Sequence, residues 1–405
     1  MAALSFLDAR ATVLRELAGI MPPAAVESVG LAACPGRILA EDVFADRDYP
    51  PFHRSMRDGF AIRSADFELN LRIIGEVRAG QVFNGAVQAG EAVEIMTGAP
   101  MPRGADAVLM VEHATRNPDG TITAIRKNEP NLATRKNEPN LNVVPQGAEA
   151  REGAILLERG TRLDYTGVAC LASVGRTSVA VFPQPRVAIL ATGDEIVEPH
   201  ETPREGQIRN SNAWSLAAQV TRAGGLPVIL PVARDSKDHT RALIEQGLEF
   251  DLLLLSGGVS AGRYDVVEPA LADLGAEFFF DRVLMQPGQP VVFGRAQGRF
   301  FFGLPGNPVS TMVTFEVFAR AAIQILGGAS DTSLPLSLSR LTVPFRHKAG
   351  LTRFLPAVLS GGEITPVASK GSGDIAALTR ANAFLMADPA QPEYAAGDLI
   401  PVLPK

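Results

Sequence analysis

Residues 251–256 read Asp-Leu-Leu-Leu-Leu-Ser, four leucines in a row with no polar alternation. A strand with one wet face alternates apolar and polar side chains. An unbroken apolar run between turn formers instead marks a strand buried on both faces, which points to a parallel sheet covered by helices. The neighbouring sequence repeats the pattern. Between about 184 and 328, apolar runs at 187–191, 227–232, 251–255, 277–285 and 300–304 alternate with helical periodicity at 211–223, 236–247, 265–274 and 308–326. This order predicts a parallel α/β domain with helices on both faces.

The rest of the chain reads differently. Residues 5–19 have apolar positions at helical spacing, with Ser5 placed as N-cap and Gly19 as stop. From 36 to about 144, short strand-like runs at 61–63, 71–75, 92–96 and 107–112 are separated by Gly, Pro and Asp, which predicts a β-rich module. After Gly327-Gly328, residues 331–405 return to short strand-like runs, so a small C-terminal β domain is expected. A length of 405 residues accommodates several domains. Glycine (38) and proline (30) are too frequent for a coiled coil or long bundle. The heptapeptide RKNEPNL occurs at 126–132 and again at 135–141, a polar duplication that reads as an extended surface loop.

Charge and composition exclude several functions. There are 38 basic and 44 acidic residues, no Lys/Arg run exceeds two, and Trp214 is the only tryptophan. A nucleic-acid surface needs a basic stripe and stacking aromatics, so no nucleic-acid partner is expected. Cys34 and Cys170 lack metal or disulfide spacing and read as buried thiols. The five histidines show no ligand spacing, which leaves a zinc hydrolase unsupported. Asp8 and Arg10 interrupt any signal-peptide core, and no apolar stretch of membrane length is free of breaks or charges. A cytoplasmic protein without membrane association is expected.

In open parallel sheets ligands bind where the strands end. The exits here are Thr192-Gly193-Asp194-Glu195, Arg234-Asp235, Ser256 through Asp265, Pro287-Gly288-Gln289-Pro290 and Pro305-Gly306-Asn307-Pro308. Their glycines let backbone N–H groups approach phosphate oxygens. Asn307 suits an N-cap and Pro308 the first helical position, which leaves free N–H groups for an anion. Asp194, Glu195, Asp235 and Asp265 all fall on this edge, although Asp265 alternatively serves only to cap the helix that follows it. Carboxylates and phosphates repel unless a hard cation bridges them, so the residues point to a Mg²⁺-dependent enzyme acting on a phosphorylated or nucleotide-bearing ligand.

The motifs together resemble those of the MoeA/gephyrin family of molybdopterin molybdenumtransferases. The stretch from Pro50 to Ala61, PPFHRSMRDGFA, is similar to the family's PPFxxSxMDGYA. Met96-Thr97-Gly98-Ala99-Pro100, Gly104 through Val108, Val111-Glu112, Ala191 through Glu195, Gly206 through Asn212, Ser256 through Ser260 and Leu304 through Pro308 follow in the family's order. The resemblance implies four parts: an N-terminal linking domain (1–45 and 146–182), an inserted β-rich domain (46–145), a MogA-like α/β domain (183–328) and a C-terminal β-barrel-like domain (329–405). It also implies a homodimer whose cleft is completed by the partner's β-rich module, and a MogA-like molybdopterin adenylyltransferase upstream.

The implied reaction inserts molybdenum from molybdate into adenylylated molybdopterin and releases AMP with Mg²⁺. Asp58, Glu195, Asp235, Asp265 and Glu149 take the acidic positions, with Asp235 and Asp265 as Mg²⁺ ligands. Substrate contacts fall to Thr97, Gly98, Thr192, Gly193, Asp194, Ser256, Gly257, Gly258, Ser260, Gly262, Gln286, Pro287, Gly288, Gln289, Gly306, Asn307, Pro308 and Ser372. Three positions depart from the family pattern. Gln286-Pro287-Gly288-Gln289-Pro290 replaces a common KPGKP, Glu149 stands where Asp is usual, and Leu351 replaces an arginine, with Arg353 two residues on. The glutamines are the motive for one alternative, a non-catalytic carrier or degenerate paralogue that binds molybdopterin without inserting metal.

Overall fold

The structure, a computed structural model, describes residues 2–20, 23–125, 138–258 and 266–405. The chain forms two compact units. One consists of Met1–Glu41, Arg159–Val168 and Thr177–Lys405, the other of Asp42–Glu158 and Ala169–Arg176.

In the first unit, strands Leu226–Ile229, Arg186–Ala191, Leu252–Ser256 and Arg299–Leu304 lie side by side and parallel. Leucine alternation explains why Leu252–Ser256 is central. Leu252 and Leu254 join one core with Val187, Ile189, Phe300 and Phe302, while Leu253 and Leu255 join a second with Ala188, Leu190 and Phe301. Both faces are therefore dry, as the unbroken run requires. Helices Ser211–Ala223 and Lys237–Gly247 supply the covers, with Leu216 and Val220 in the first core and Leu243 and Ile244 in the second.

The sheet is mixed rather than wholly parallel. Val292–Ala296 runs antiparallel beside Arg299–Leu304, and Glu277–Phe280 pairs antiparallel with it at the edge. The apolar stretch 277–285 is two strands, not one. Glu277–Phe280 stays in this sheet, whereas Val283–Gln286, beyond Asp281-Arg282, pairs in parallel with Leu4–Ser5 and with Thr352–Ser360. Both halves are apolar enough to be strands, and only their partners distinguish them.

Thr352–Ser360, Glu363–Pro366, Ser337–Leu341, Leu399–Pro404 and Ala383–Ala387 close into a small barrel, since Ala383–Ala387 pairs back with Thr352–Ser360. Leu341, Ile364, Leu385 and Val402 fill it. The N-terminal helix runs from Phe6 to Ala18; Ser5 accepts the Asp8 N–H as its cap, and Gly19 ends it. Pro308–Leu326 is long and apolar enough to cross a membrane, but 72% of it is buried within the fold, as befits a core helix.

The second unit is built on a six-stranded sheet that includes Gly59–Ile62, Leu71–Val77, Glu91–Ile95 and Ala107–Met110, the expected β-rich module. Phe60, Ile62, Leu71 and Leu109 pack on one face, and Ala61, Val93, Ile95 and Val108 on the other. Of the duplicated heptapeptide, only 138–141 fall within the described residues. Cys34 is buried, but Cys170 is only partly so, a correction to the expectation of two buried thiols.

Candidate active site

In the first unit the strand ends are level, because Ala191, Ser256 and Leu304 sit in register across three strands. The ladder then continues one residue further: the Thr192 N–H donates to the Ser256 carbonyl and the Gly257 N–H to the Leu304 carbonyl. The exiting loops therefore crowd together. A Cβ on Gly257, whose φ is +89°, would stand 3.0 Å from the Thr192 carbonyl oxygen, so glycine is required there.

These loops line a cavity of about 430 Å³. Thr192, Glu195, Ser256, Gly257, Gly258, Gly306, Asn307 and Pro308, all expected site residues, are on its wall. Arg209, Asn210 and Asn212, which sequence reasoning did not assign to the site, are there too. They arrive because Ile208–Arg209 pairs with Ile196–Val197 just before the helix that Asn210 caps. The signal was present in Asn210-Ser211-Asn212, polar residues at a helix start facing strand exits. Asn212 Nδ2 donates to Ser256 Oγ at 2.9 Å and to the Gly306 carbonyl at 2.7 Å, tying two loops together. Thr192 Oγ1, Asn210 Nδ2 and Asn212 Oδ1 are buried and, among the described residues, have no hydrogen-bond partner. Native folds seldom leave such groups unsatisfied, and a bound polar ligand, an ion or ordered water would satisfy them.

Of the carboxylates, Glu195 lines this cavity. Asp194 and Asp235 are exposed beside one another, the Asp235 N–H donating to Asp194 Oδ1 at 3.2 Å. Arg234 secures the pair by donating to the Asp194 and Ile196 carbonyls. Ser260, Gly262 and Asp265 lie outside the described residues. Among the described residues no three His, Cys, Asp or Glu side chains enclose a metal site. Mg²⁺ needs no such cage, since one or two carboxylates plus substrate phosphates and waters hold it. Asp194 and Asp235 fit that donor set.

Asn307 occupies the N-cap position, but its side chain makes no capping bond. It lines the cavity instead. The Val309 N–H is not free for an anion as expected, because it donates to the Ser372 carbonyl at 2.9 Å. That bond holds the Ser372 loop against the start of the helix.

A second cavity, about 710 Å³, adjoins the first through Pro290, Pro305 and Asn307. Gln286, Pro287, Gly288, Gln289 and Ser372 line it together with Lys348 and Arg353. Gly288, at φ +104°, is pressed so close that a Cβ would come within 2.3 Å of Thr314 Cγ2.

Gly193, also expected at the site, is buried in the first unit and lines neither cavity; the other expected residues belong to the second unit. Asp58 Oδ1 accepts the Thr97 N–H at 2.7 Å and the Thr97 hydroxyl at 2.8 Å. The backbone N–H first, and then the hydroxyl, hold the Asp58 carboxyl below the ordinary aspartate range. Because the folded-state value is lowered, the stabilisation is present above the unfolded value and is lost as pH falls through the folded one. Thr97→Val keeps the N–H and removes the hydroxyl, so the Asp58 carboxyl is expected to titrate at higher pH than in the wild type. Carboxyl chemical shifts followed across an acid titration check this, and an unmoved midpoint contradicts it. Gly98, at φ +80°, follows in the same turn. Glu149 is ion-paired to Arg54 at 2.6 Å rather than standing free.

Family models match the chain in order: the MoeA N-terminal region (domain I and II) over 4–175, a "Probable molybdopterin binding domain" over 188–324, and the MoeA C-terminal region (domain IV) over 339–405. The chain belongs to the MoeA family. The molybdopterin molybdenumtransferase of Bacillus subtilis is 33% identical over 381 residues, covering 91% of this chain and 87% of that protein. The enzyme of the same name from a Staphylococcus epidermidis strain is 32% identical over 380 residues, covering 91% and 88%. Among solved structures, the molybdopterin biosynthesis MoeA protein of Pyrococcus horikoshii OT3 superposes over 100% of both chains with a TM-score of 0.79 at 26% identity. A further structure of a MoeA protein from Pyrococcus horikoshii gives 0.70 at 29% identity, covering 100% of this chain and 99% of that one. The MoeA order also accounts for the composition of the site, since the matched central region holds the strand exits and the C-terminal region brings Arg353 and Ser372 to the second cavity.

Proposed function

We propose that this chain is a molybdopterin molybdenumtransferase, which inserts molybdenum from molybdate into adenylylated molybdopterin and releases AMP. The observation that carries the reading is the pair of adjoining cavities, one lined with amides, hydroxyls and glycines at the strand exits, the other with cations. A pterin nucleotide suits the first: Thr192, Asn210 and Asn212 offer unused polar atoms, and Gly257 and Gly258 let phosphate oxygens meet the backbone. Molybdate, a tetrahedral dianion and the source of the transferred metal, suits the second.

Each residue has a defined task in this reading. Asn212 keeps the Ser256 and Gly306 loops at a fixed spacing, so the nucleotide meets a preorganised surface. Asp194 and Asp235 would hold Mg²⁺, which would supply positive charge against the substrate phosphates. Glu195 presents a carboxylate to the cavity wall, and Asn307 bridges the two cavities. We further propose that two copies pair, with Asp58 of one completing the cleft of the other, that the adenylylated substrate comes from a MogA-like adenylyltransferase, and that the work is cytoplasmic.

The test is a single-turnover assay with adenylylated molybdopterin, Mg²⁺ and molybdate, following AMP and the metal retained on the pterin. Molybdate-dependent AMP release is the expected result. Tight binding with no AMP release supports the carrier instead. Asn212→Ala is expected to weaken adenylylated molybdopterin binding about tenfold to a hundredfold, the cost of one or two hydrogen bonds. Unchanged affinity removes Asn212 from the site.

A further inference from the structure

Glu316 is a carboxylate set among phenylalanines. It is 3% exposed, and Phe315 and Phe318 beside it are fully buried. A charge in such a place is costly unless it is paired and hydrogen-bonded. Here it is both: Glu316 Oε1 accepts from Gln219 Nε2 and from Arg222 Nη2, each at 2.6 Å. Gln219 Nε2 also donates to the Met312 carbonyl at 3.1 Å. None of these residues lines either cavity.

The helices they join do reach the site. Ser211–Ala223 and Pro308–Leu326 both start on the wall of the first cavity, where Asn212 Nδ2 donates to the Gly306 carbonyl. Asn212 and Gln219 are two helical turns apart, so they share a face about 10 Å apart along the axis. The two helices are thus tied at the cavity by Asn212 and again, deeper, by Gln219 and Arg222. Between the ties the packing is apolar, with Leu216 and Val220 in one core with Val309 and Val313. Apolar contacts tolerate small slides and rotations, whereas hydrogen bonds fix a register.

The local backbone is shaped around this contact. The Arg320 N–H reaches back five residues to the Phe315 carbonyl, a wide π turn of the kind that often marks a functional position. Arg10, from the N-terminal helix, donates to the Val317 carbonyl within that turn at 2.6 Å. Gln219 Oε1 is buried and, among the described residues, has no hydrogen-bond partner, which places the role of this side chain in its Nε2 contacts.

We infer that Glu316 is a positioning residue: through Gln219 and Arg222 it fixes the register of the two helices, and so holds the Asn212–Gly306 bond at the first cavity. Its consequence for adenylylated molybdopterin rests on the transferase reading. Its effect on Asn212 does not.

Asparagine-selective ¹⁵N labelling of the full chain follows solvent exchange of the Asn212 side-chain amide, which its bonds to Ser256 and Gly306 slow. Glu316→Met, similar in length, replaces a buried ion pair by an apolar chain and is expected to leave the denaturant midpoint near that of the wild type. It is expected to speed the exchange about tenfold, the equivalent of one weakened hydrogen bond. Glu316→Gln keeps an oxygen for Gln219 and Arg222 and is expected to stay within about threefold of the wild type. Gln219→Leu, which leaves the Arg222 pair in place, gives a second reading with the same expectation as Glu316→Met. Unchanged exchange in Glu316→Met and Gln219→Leu overturns the inference. So does exchange that rises only as far as the denaturant midpoint falls, the mark of a merely structural role.

Adenylylated molybdopterin binding by the same proteins closes a double-mutant cycle. Glu316→Met is expected to weaken binding about tenfold alone and to add nothing in the Asn212→Ala background, because it acts through Asn212. Additive losses overturn that route. If the wild type does not bind this ligand while the Asn212 exchange responds as expected, the function is wrong and the positioning stands.

Discussion

Asp235→Asn is expected to slow AMP release about a hundredfold, the order that follows from losing several kcal/mol of charge stabilisation at a phosphate. The substitution keeps the shape of the side chain and leaves the backbone bond to Asp194 in place. It removes only the charge. If Asp235 holds Mg²⁺ with substrate phosphates, the variant also needs a higher Mg²⁺ concentration to reach its own maximum rate. A slow variant with unaltered Mg²⁺ dependence places Asp235 outside the metal's ligands. Mixing it with Asp58→Asn tests the proposed pairing, because exchanged dimers then contain one cleft with both carboxylates intact. Recovered AMP release in the mixture, absent from either variant alone, supports a cleft shared between copies.

Phe302→Ala is expected to destabilise the first unit by about 3–5 kcal/mol, because a large buried ring is lost and the cavity closes only partly. Phe302 is fully buried in the central part of the sheet, opposite Leu254 on one side and Phe293 on the other. Its ring lies 4.7 Å from that of Phe293, nearly parallel, and Phe300 stacks on Phe293 from the next same-face position. The neighbours are held by strands on both sides and have little freedom to fill the gap. Denaturant unfolding followed by circular dichroism measures the loss, and a change below about 1 kcal/mol would show that the core repacks. Since Leu304, two residues on, ends the strand beside Ser256, a loosened sheet also loosens the first cavity.

Much of this protein was legible in short stretches. Four leucines without alternation implied a strand dry on both faces, and Leu252–Leu255 divide between two cores as that demands. Ser5 and Gly19 marked the ends of the first helix, and the glycine-rich strand exits marked the first cavity. Other features were not legible. The stretch 277–285 read as one strand, because nothing in its own periodicity says that Val283–Gln286 leaves the sheet to join Leu4–Ser5 and Thr352–Ser360. Asn307 read as a side-chain cap and is instead a wall of both cavities, and Val309 gives its N–H to Ser372 from the distant C-terminal region.

The division has a physical cause. Backbone dihedral preference, capping and burial pattern act over a few residues, so the sequence by itself determined most of the elements, the two-faced burial of the central sheet and the edge where the glycine-rich strand exits gather. Strand partnership and register are decided by packing between segments far apart in the chain, where many pairings are locally equivalent. Only the tertiary structure therefore decided that Arg353 stands beside Gln286, that Asn212 links Ser256 to Gly306, and that the cations of the second cavity come from the C-terminal region.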